Sequence, residues 1–423
     1  MRKLDVYVEI MGKQHLVGEI VGESYLDACF RYNEYYMNSD GARPISISLP
    51  FQNEYFDAPR TKNFFEGLLP EGFSRKAVAN WMKADEQDYI TILSELGKEC
   101  LGAIRIAESE TEDSPHYEKL TLNKVRALAQ EGATSSTQIL IETHLSLTGA
   151  TGKVGLYYNS DNDEWYLPKG SAPSTHIVKQ SHVRLRNIVV NEHLCILTAK
   201  HLGIKVPDSF IINTGDGNDE SILFASSRYD RKFGQNNLVD GLPCPLRLHQ
   251  EDFAQALGIV ASEKYEKRPN GYMSKMFNLI RNCSANPIFD QSELLKIICF
   301  NYLIGNTDCH IKNFSLLYDE KLSGIRLAPA YDLVSTRVYK MTEDMSFYIG
   351  GELNINNISR KTFALSSSEI GMGEKMVMKI FDDLADKFES AIEAAANELE
   401  ELGFAKASEI KTQIIKLGGY GKL

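Results

Sequence analysis

The stretch GNTDCHIKN, Gly305 to Asn313, followed a short way downstream by APAYDL, Ala328 to Leu333, decides how this chain is read. It places Asp308, Lys312 and Asn313 close together and then adds Asp332, a set suited to holding magnesium and aiming a nucleophile at a phosphoryl group. Asp308 is the candidate base that accepts or orients the proton of a hydroxyl substrate. Asn313 can offer its side-chain oxygen to a divalent cation, Lys312 or His310 can face phosphate, and Asp332 is the second metal ligand, because hard cations prefer carboxylate oxygen. The competing reading is a solvated turn rich in Asn, Asp and His. Apolar segments on both sides put the polar groups at the edge of a core and weigh against it.

Working outward, QSELLKIICFNYLIGN has helical spacing: Leu294, Leu295, Ile298, Tyr302 and Leu303 share a broad apolar face, and Gly305 ends the helix. The interval from Asp308 to Asn313 matches the Asp-to-Asn interval of the protein-kinase catalytic loop, although the preceding residues do not read His-Arg-Asp. Upstream, HLSLTGATGKVGLYY (His144 to Tyr158) holds Gly149 and Gly152, whose neighbouring N–H groups can cradle phosphate. This is not a Walker A loop, since Leu147 stands at its first Gly and Val154 at its magnesium-binding Ser/Thr. It reads as a Gly-rich turn entering a strand, and GLYYNSDNDEWYLPKG continues as two strands joined by a polar turn at Asn159 to Glu164.

The segment SAPSTHIVKQ brings Lys179 to the end of a short apolar strand, and the predicted helix NIVVNEHLCILTAKHLG carries Glu192 near its start as the carboxylate that holds Lys179. SILFASSRYDRK gives a strand from Ile222 to Ala225. The polar exit follows, where backbone groups around Ser227, Arg228 and Tyr229 can reach an adenine edge. Arg228 and Arg231 also have a simpler reading as solvated or ion-paired surface residues.

With these segments in place, the chain resembles the HipA family, bacterial serine/threonine kinases of type II toxin-antitoxin modules. The resemblance runs from near residue 1 to the last helices. It is carried in order by FFEGLLPEG (Phe64 to Gly72), LGKECLGAIRI (Leu96 to Ile106), SLTGATGK (Ser146 to Lys153), LPKGSAPSTHIVK (Leu167 to Lys179), VVNEHLC (Val189 to Cys195), RYDRK (Arg228 to Lys232), LHQEDFAQALG (Leu248 to Gly258), GNTDCHIKNFSLL (Gly305 to Leu317) and LAPAYDLVST (Leu327 to Thr336). The resemblance implies that Asp308 is the catalytic Asp, Asn313 and Asp332 the magnesium ligands, and Lys179 the nucleotide-binding Lys. It implies that Ser146, Gly149, Thr151, Gly152 and Lys153 belong to the phosphate-binding loop, with Ser146 a regulatory autophosphorylated serine. The loop reads GATGK where the family more often has Gly-Ala-Gln, a variable residue and Lys.

The implied fold is α+β: a two-lobed protein-kinase-like fold with a small N-terminal domain and a mainly helical C-terminal lobe. The expected divisions are residues 1 to 110, which include a hairpin around Gly12 and Lys13 and a turn and helix at FFEGLLPEGFSRKAVANWM, then 111 to 240 for nucleotide, then 241 to 423 with a minor strand at MSFYIG. The implied cofactors are ATP and Mg2+. The implied partners are a small helix-turn-helix antitoxin, through which alone DNA would be bound, and a protein substrate such as an aminoacyl-tRNA synthetase. Two other readings stay open on the residues: a small-molecule kinase, and a catalytically silent binding protein.

The 423 residues suffice for two or three domains, and 43% hydrophobic with 24% charged residues is ordinary globular composition. A formal charge of -11 argues against a free-standing nucleic-acid binder, since phosphate contacts need concentrated Lys and Arg. There is no run of membrane-spanning length, and MRKLDVYVEIMGKQ enters a strand pattern at once, so a cytoplasmic protein without membrane contact is expected. Seven scattered Cys residues show no zinc spacing and are expected to be reduced thiols.

Overall fold

The computed structural model describes residues 2–108, 114–131, 153–181, 185–234 and 237–423. At the N-terminus, β1 (Arg2–Ile10) and β2 (Lys13–Gly22) form the expected hairpin. Met11 and Gly12 both have positive φ, 51° and 78°, as a two-residue turn matching strand twist requires. Adding β3 (Cys29–Tyr32) and β4 (Ile104–Ala107) gives an antiparallel sheet in the order β3-β2-β1-β4. Leu4, Val6, Val8, Ile20 and Phe30 are buried, together with Phe64 and Phe65 of the helix Ala58–Phe65 and Leu93 and Leu96 of the helix Tyr89–Leu96.

A second antiparallel sheet contains β5 (His116–Lys119), β6 (Lys153–Asn159), β7 (Glu164–Lys169), β8 (His176–Gln180), β9 (Ser209–Asn213) and β10 (Ile222–Ser227), in the order β5-β7-β6-β8-β10-β9. Strand alternation gives the sheet two apolar faces. Leu223 and Ala225 of β10 join Val154, Val178, Trp165 and the helix Leu122–Glu131 on one side, while Ile222 and Phe224 enter the main core on the other. The helix Ile188–His201 lies against that second side and is buried nearly all round, because the long helix Glu374–Glu401 covers its far face.

Beyond β10 the chain is mainly helical, and the strand expected at MSFYIG is present within Asp344–Ile349. The helix Pro287–Ile304 is apolar over more of its circumference than the expected face, with Ile297, Cys299, Phe300 and Ile304 also buried. Gly305 caps it at φ 70°, and a Cβ there would come within 2.9 Å of Arg337 and 3.0 Å of Gly418. Among the described residues no helix is long and apolar enough to cross a membrane. All seven cysteines are free thiols.

The N-terminal sheet unit is joined to the rest by buried polar contacts. Glu251 accepts hydrogen bonds from Ser46 Oγ at 2.6 Å and the Ile47 N–H at 3.0 Å, and from the Tyr318 hydroxyl. Burial, aided by neighbouring Asp252, pushes its carboxyl up to about 7 despite these donors. A raised acid binds its proton more tightly in the folded chain, so this stabilisation is full below the ordinary carboxylate value and is lost as pH rises through 7. The difference is worth about 3 kcal/mol in all. Glu251→Gln removes the titration, and urea unfolding of both proteins at pH 5 and pH 8 is expected to show the variant gaining on the wild type at the higher pH.

Candidate active site

The helix Pro287–Ile304 delivers the chain into a loop that its own side chains hold closed. Asn306 Nδ2 donates to Asn301 Oδ1 at 2.7 Å and to the Asp332 carbonyl at 3.2 Å, while Asn306 Oδ1 accepts from the Asp308 N–H at 3.1 Å. The His310 N–H and Asn313 Nδ2 both donate to the Asp308 carbonyl, at 2.8 and 2.9 Å. With its NH2 fixed there, Asn313 keeps an amide oxygen for another partner.

Asp332 sits at φ 52°, a conformation that costs energy for a residue with a Cβ and therefore needs support. The preceding Tyr331 hydroxyl contacts the Lys312 carbonyl at 2.9 Å and Ser315 Oγ at 2.6 Å. Asn191 exchanges two hydrogen bonds with the Ser335 backbone, at 3.0 and 3.1 Å. Asn191 directly precedes Glu192, so one contact aligns the Glu192 helix with the Asp332 segment.

Alternation along β8 turns Lys179 away from the Val178 side, towards this loop. Its cross-strand neighbours are Phe224 and Lys153. Its ammonium lies 2.6 Å from Glu192 and is also paired with Asp332. Burial works against the Lys179 charge, but Asp332 and Glu192 outweigh it and hold the ammonium above its ordinary range. Asp332 is likewise buried, yet Lys179 and Lys153 keep it well below the ordinary carboxylate value. Lys153 itself is pushed down by burial and by Lys179.

These groups line a cleft of about 380 Å³ between the six-stranded sheet and the helical part, with Lys153, Lys179, Glu192, Asp308, Asn313 and Asp332 all on its wall. Ser227, Arg228 and Tyr229 also line it. The Ser227 and Arg228 N–H groups are engaged by the carbonyls of Asp208 and Thr175, both at 2.8 Å. Ser146, Gly149, Thr151 and Gly152 lie outside the described residues.

Two expectations need correction. Arg228 and Arg231 are ion-paired but not surface residues: both guanidinium groups are buried with Glu99 and Asp230 and the Arg228 N–H is bonded to Thr175, so Arg228 can offer a ligand only its backbone carbonyl. Lys312 is buried and paired with Asp252 at 2.6 Å, with Glu71 at 3.6 Å, because a buried ammonium needs carboxylate partners. His310 lies on the cleft wall, where burial, reinforced by Lys264 and Lys312, drives it down to about 3 and favours the neutral imidazole.

Two residues at the loop gave no functional signal in the sequence. Glu71 reaches in from the N-terminal unit and pairs with Lys264 at 2.6 Å as well as with Lys312. Tyr265 donates its hydroxyl to Asp308 Oδ1, and its ring meets His310 edge-on at 5.2 Å between centroids. Glu71 stands in the quoted FFEGLLPEG, but nothing local announces partners some 200 residues away; Tyr265 has no motif around it.

Family models for the HipA-like C-terminal domain and the HipA N-terminal domain match residues 145–392 and 8–107. The chain belongs to the HipA family. It is 30% identical over 395 residues to the Y4mE protein of Sinorhizobium fredii, covering 91% of this chain and 90% of that one. It is 26% identical over 432 residues to the serine/threonine-protein kinase toxin HipA of Shewanella oneidensis, covering 95% and 94%. The solved structure of Shewanella oneidensis MR-1 HipA, in its complex with HipB and operator DNA, superposes with TM-score 0.77 at 23% identity over 97% of this chain and 96% of that one. The fold is therefore the HipA kinase-like α+β fold, and the chain is a member of a kinase family.

The residues present fit the groups such a family implies. Lys179 and Lys153 suit phosphate oxygens, and Asn313 with Asp332 is an oxygen donor pair of the kind magnesium uses when phosphates and water complete its shell. Among the described residues no three His, Cys, Asp or Glu side chains gather into an all-protein metal cage.

Proposed function

We propose that this HipA-family protein is an ATP- and magnesium-dependent serine/threonine protein kinase. The observation that carries the reading is the convergence in one cleft of Lys179, clamped between Glu192 and Asp332, with Asp308 and Asn313 on the facing loop. Lys179 is kept charged and held by two carboxylates, and it binds the inner phosphates of ATP. Asn313 and Asp332 would hold Mg2+, which when bound neutralises charge on the phosphates. Asp308 takes the proton from the acceptor hydroxyl and orients that oxygen. Lys312, also on the cleft wall, is committed to Asp252 and Glu71 and braces the loop.

Lys179→Met is expected to weaken MgATP binding by about 10- to 100-fold, the loss of one charge-assisted contact. Calorimetry on the wild type and the variant reads this directly. Equal affinities would remove Lys179 from the nucleotide site, and a wild type that binds no nucleotide would end the kinase reading.

The physiological setting we propose is a toxin-antitoxin module, with a small helix-turn-helix antitoxin as partner and a protein of translation, such as an aminoacyl-tRNA synthetase, as substrate. Support comes from the HipB partner named in the structure of the Shewanella relative and from the acidic balance of this chain, which suits a basic partner. In this arrangement DNA is contacted through the antitoxin. Co-purification with such a partner and a DNA-shift assay test it; sequence-specific DNA binding by this chain alone would contradict it.

A further inference from the structure

We propose that Tyr265 is the positioning residue for Asp308: its hydroxyl fixes one carboxylate oxygen, so that the other is presented to the acceptor hydroxyl. The inference rests on the kinase reading and adds to it a residue outside the Lys, Glu, Asp, Asn and Asp set.

A carboxylate on a loop can rotate about its terminal torsion, which is broad and holds the group only weakly. Hydroxyl donation to Oδ1 removes that freedom. Among the described residues nothing donates to Oδ2, so the second oxygen is left for a partner. Productive geometry for proton abstraction needs the base within hydrogen-bond reach of the attacking oxygen and correctly aimed.

The alternative is that Tyr265 merely plugs the acceptor position and swings out when substrate arrives. Its anchoring argues against this. Lys264, on one side, is tied to Glu71 at 2.6 Å, and its ammonium also lies 5.5 Å from the Tyr265 ring centroid. Glu266, on the other side, is buried and accepts the N–H groups of Asn270, Tyr272 and Tyr348 at 2.6, 3.1 and 3.0 Å. Its own N–H donates to the Ser346 carbonyl at 2.8 Å. The ring is further held against His310. A segment pinned on both flanks is built to hold the hydroxyl in place.

The test compares wild type, Tyr265→Phe, and Tyr265 replaced by para-aminophenylalanine, which restores a donor at the ring tip. Phe keeps the ring contacts, so folding is preserved and only the hydrogen bond is lost. Transfer of labelled γ-phosphoryl to protein is measured alongside calorimetric MgATP affinity. Tyr265→Phe is expected to lower kcat by about 10- to 100-fold, part of what a well-placed general base contributes, with KM for ATP and MgATP affinity unchanged. The amino variant is expected to recover most of the rate. A Phe variant as fast as or faster than wild type overturns the assignment, as does an amino variant as slow as Phe. A wild type that transfers no phosphoryl group overturns the kinase reading and this inference together; transfer that is indifferent to Tyr265 overturns this inference alone.

Discussion

Asp308→Asn is expected to lower phosphoryl transfer by about 10²- to 10⁴-fold while leaving MgATP affinity close to that of the wild type. Asn is nearly isosteric and keeps the backbone geometry of the loop, in which the Asp308 carbonyl accepts from His310 and Asn313. It can still accept from Tyr265 through its amide oxygen, but it cannot take a proton. Loss of rate with retained nucleotide binding therefore isolates proton transfer from folding and from binding. Labelled transfer assays and calorimetry on the same preparation check both halves. A variant within a few fold of the wild-type rate would take the base role away from Asp308.

Arg228→Ala is expected to destabilise the fold by about 3–5 kcal/mol, the cost of leaving a buried charge without its partner. The Arg228 guanidinium donates through Nε and Nη2 to the two oxygens of Asp230 at 2.9 and 2.7 Å, and through Nη1 to Ser174 Oγ at 2.9 Å and Glu99 at 3.3 Å. Arg231 completes the cluster with Glu99 at 2.8 Å. Two guanidinium groups balance two carboxylates, all buried. Glu99 belongs to the N-terminal unit and Arg228 to the exit of β10, so the cluster joins that unit to the six-stranded sheet.

Burial opposes the Asp230 charge, but Arg228 and Arg231 hold its carboxyl well below the ordinary range. A depressed acid contributes stability that is fully present above its unfolded value and is lost as pH falls through the folded one. The deficit of Arg228→Ala should thus be full at neutral pH and shrink as pH falls below the ordinary carboxylate range. Urea unfolding midpoints at pH 7 and pH 2 measure this. Equal stability of variant and wild type at pH 7 would contradict the role of the cluster.

Segments whose signal is local were readable in the sequence. The helix ending at Gly305, the hairpin around Gly12, the Lys179 strand, the Glu192 helix and the strand from Ile222 follow from apolar periodicity and glycine placement. The Lys179–Glu192 pairing was legible because a strand and the next helix bring the two residues together by short-range connection. Contacts set by long-range packing were not. The burial of Arg228 depends on Glu99, 129 residues away, and an Arg among polar neighbours reads as a surface residue until that partner is seen. Lys312 looks like a phosphate ligand on its loop, but Asp252 and Glu71 converge on it from separate parts of the chain. Tyr265 lies in a stretch with no periodicity or glycine pattern, and only the folded geometry brings its hydroxyl to Asp308.

The central claim is that the cleft transfers the γ-phosphoryl group of ATP to a protein hydroxyl. Its most direct test is acid hydrolysis and phosphoamino-acid analysis of protein labelled by the wild-type chain with γ-labelled ATP and magnesium. The account predicts label on phosphoserine or phosphothreonine, removed by chelating the metal and by Asp308→Asn. Label found only on a small molecule, or on protein equally with Asp308→Asn, would contradict it.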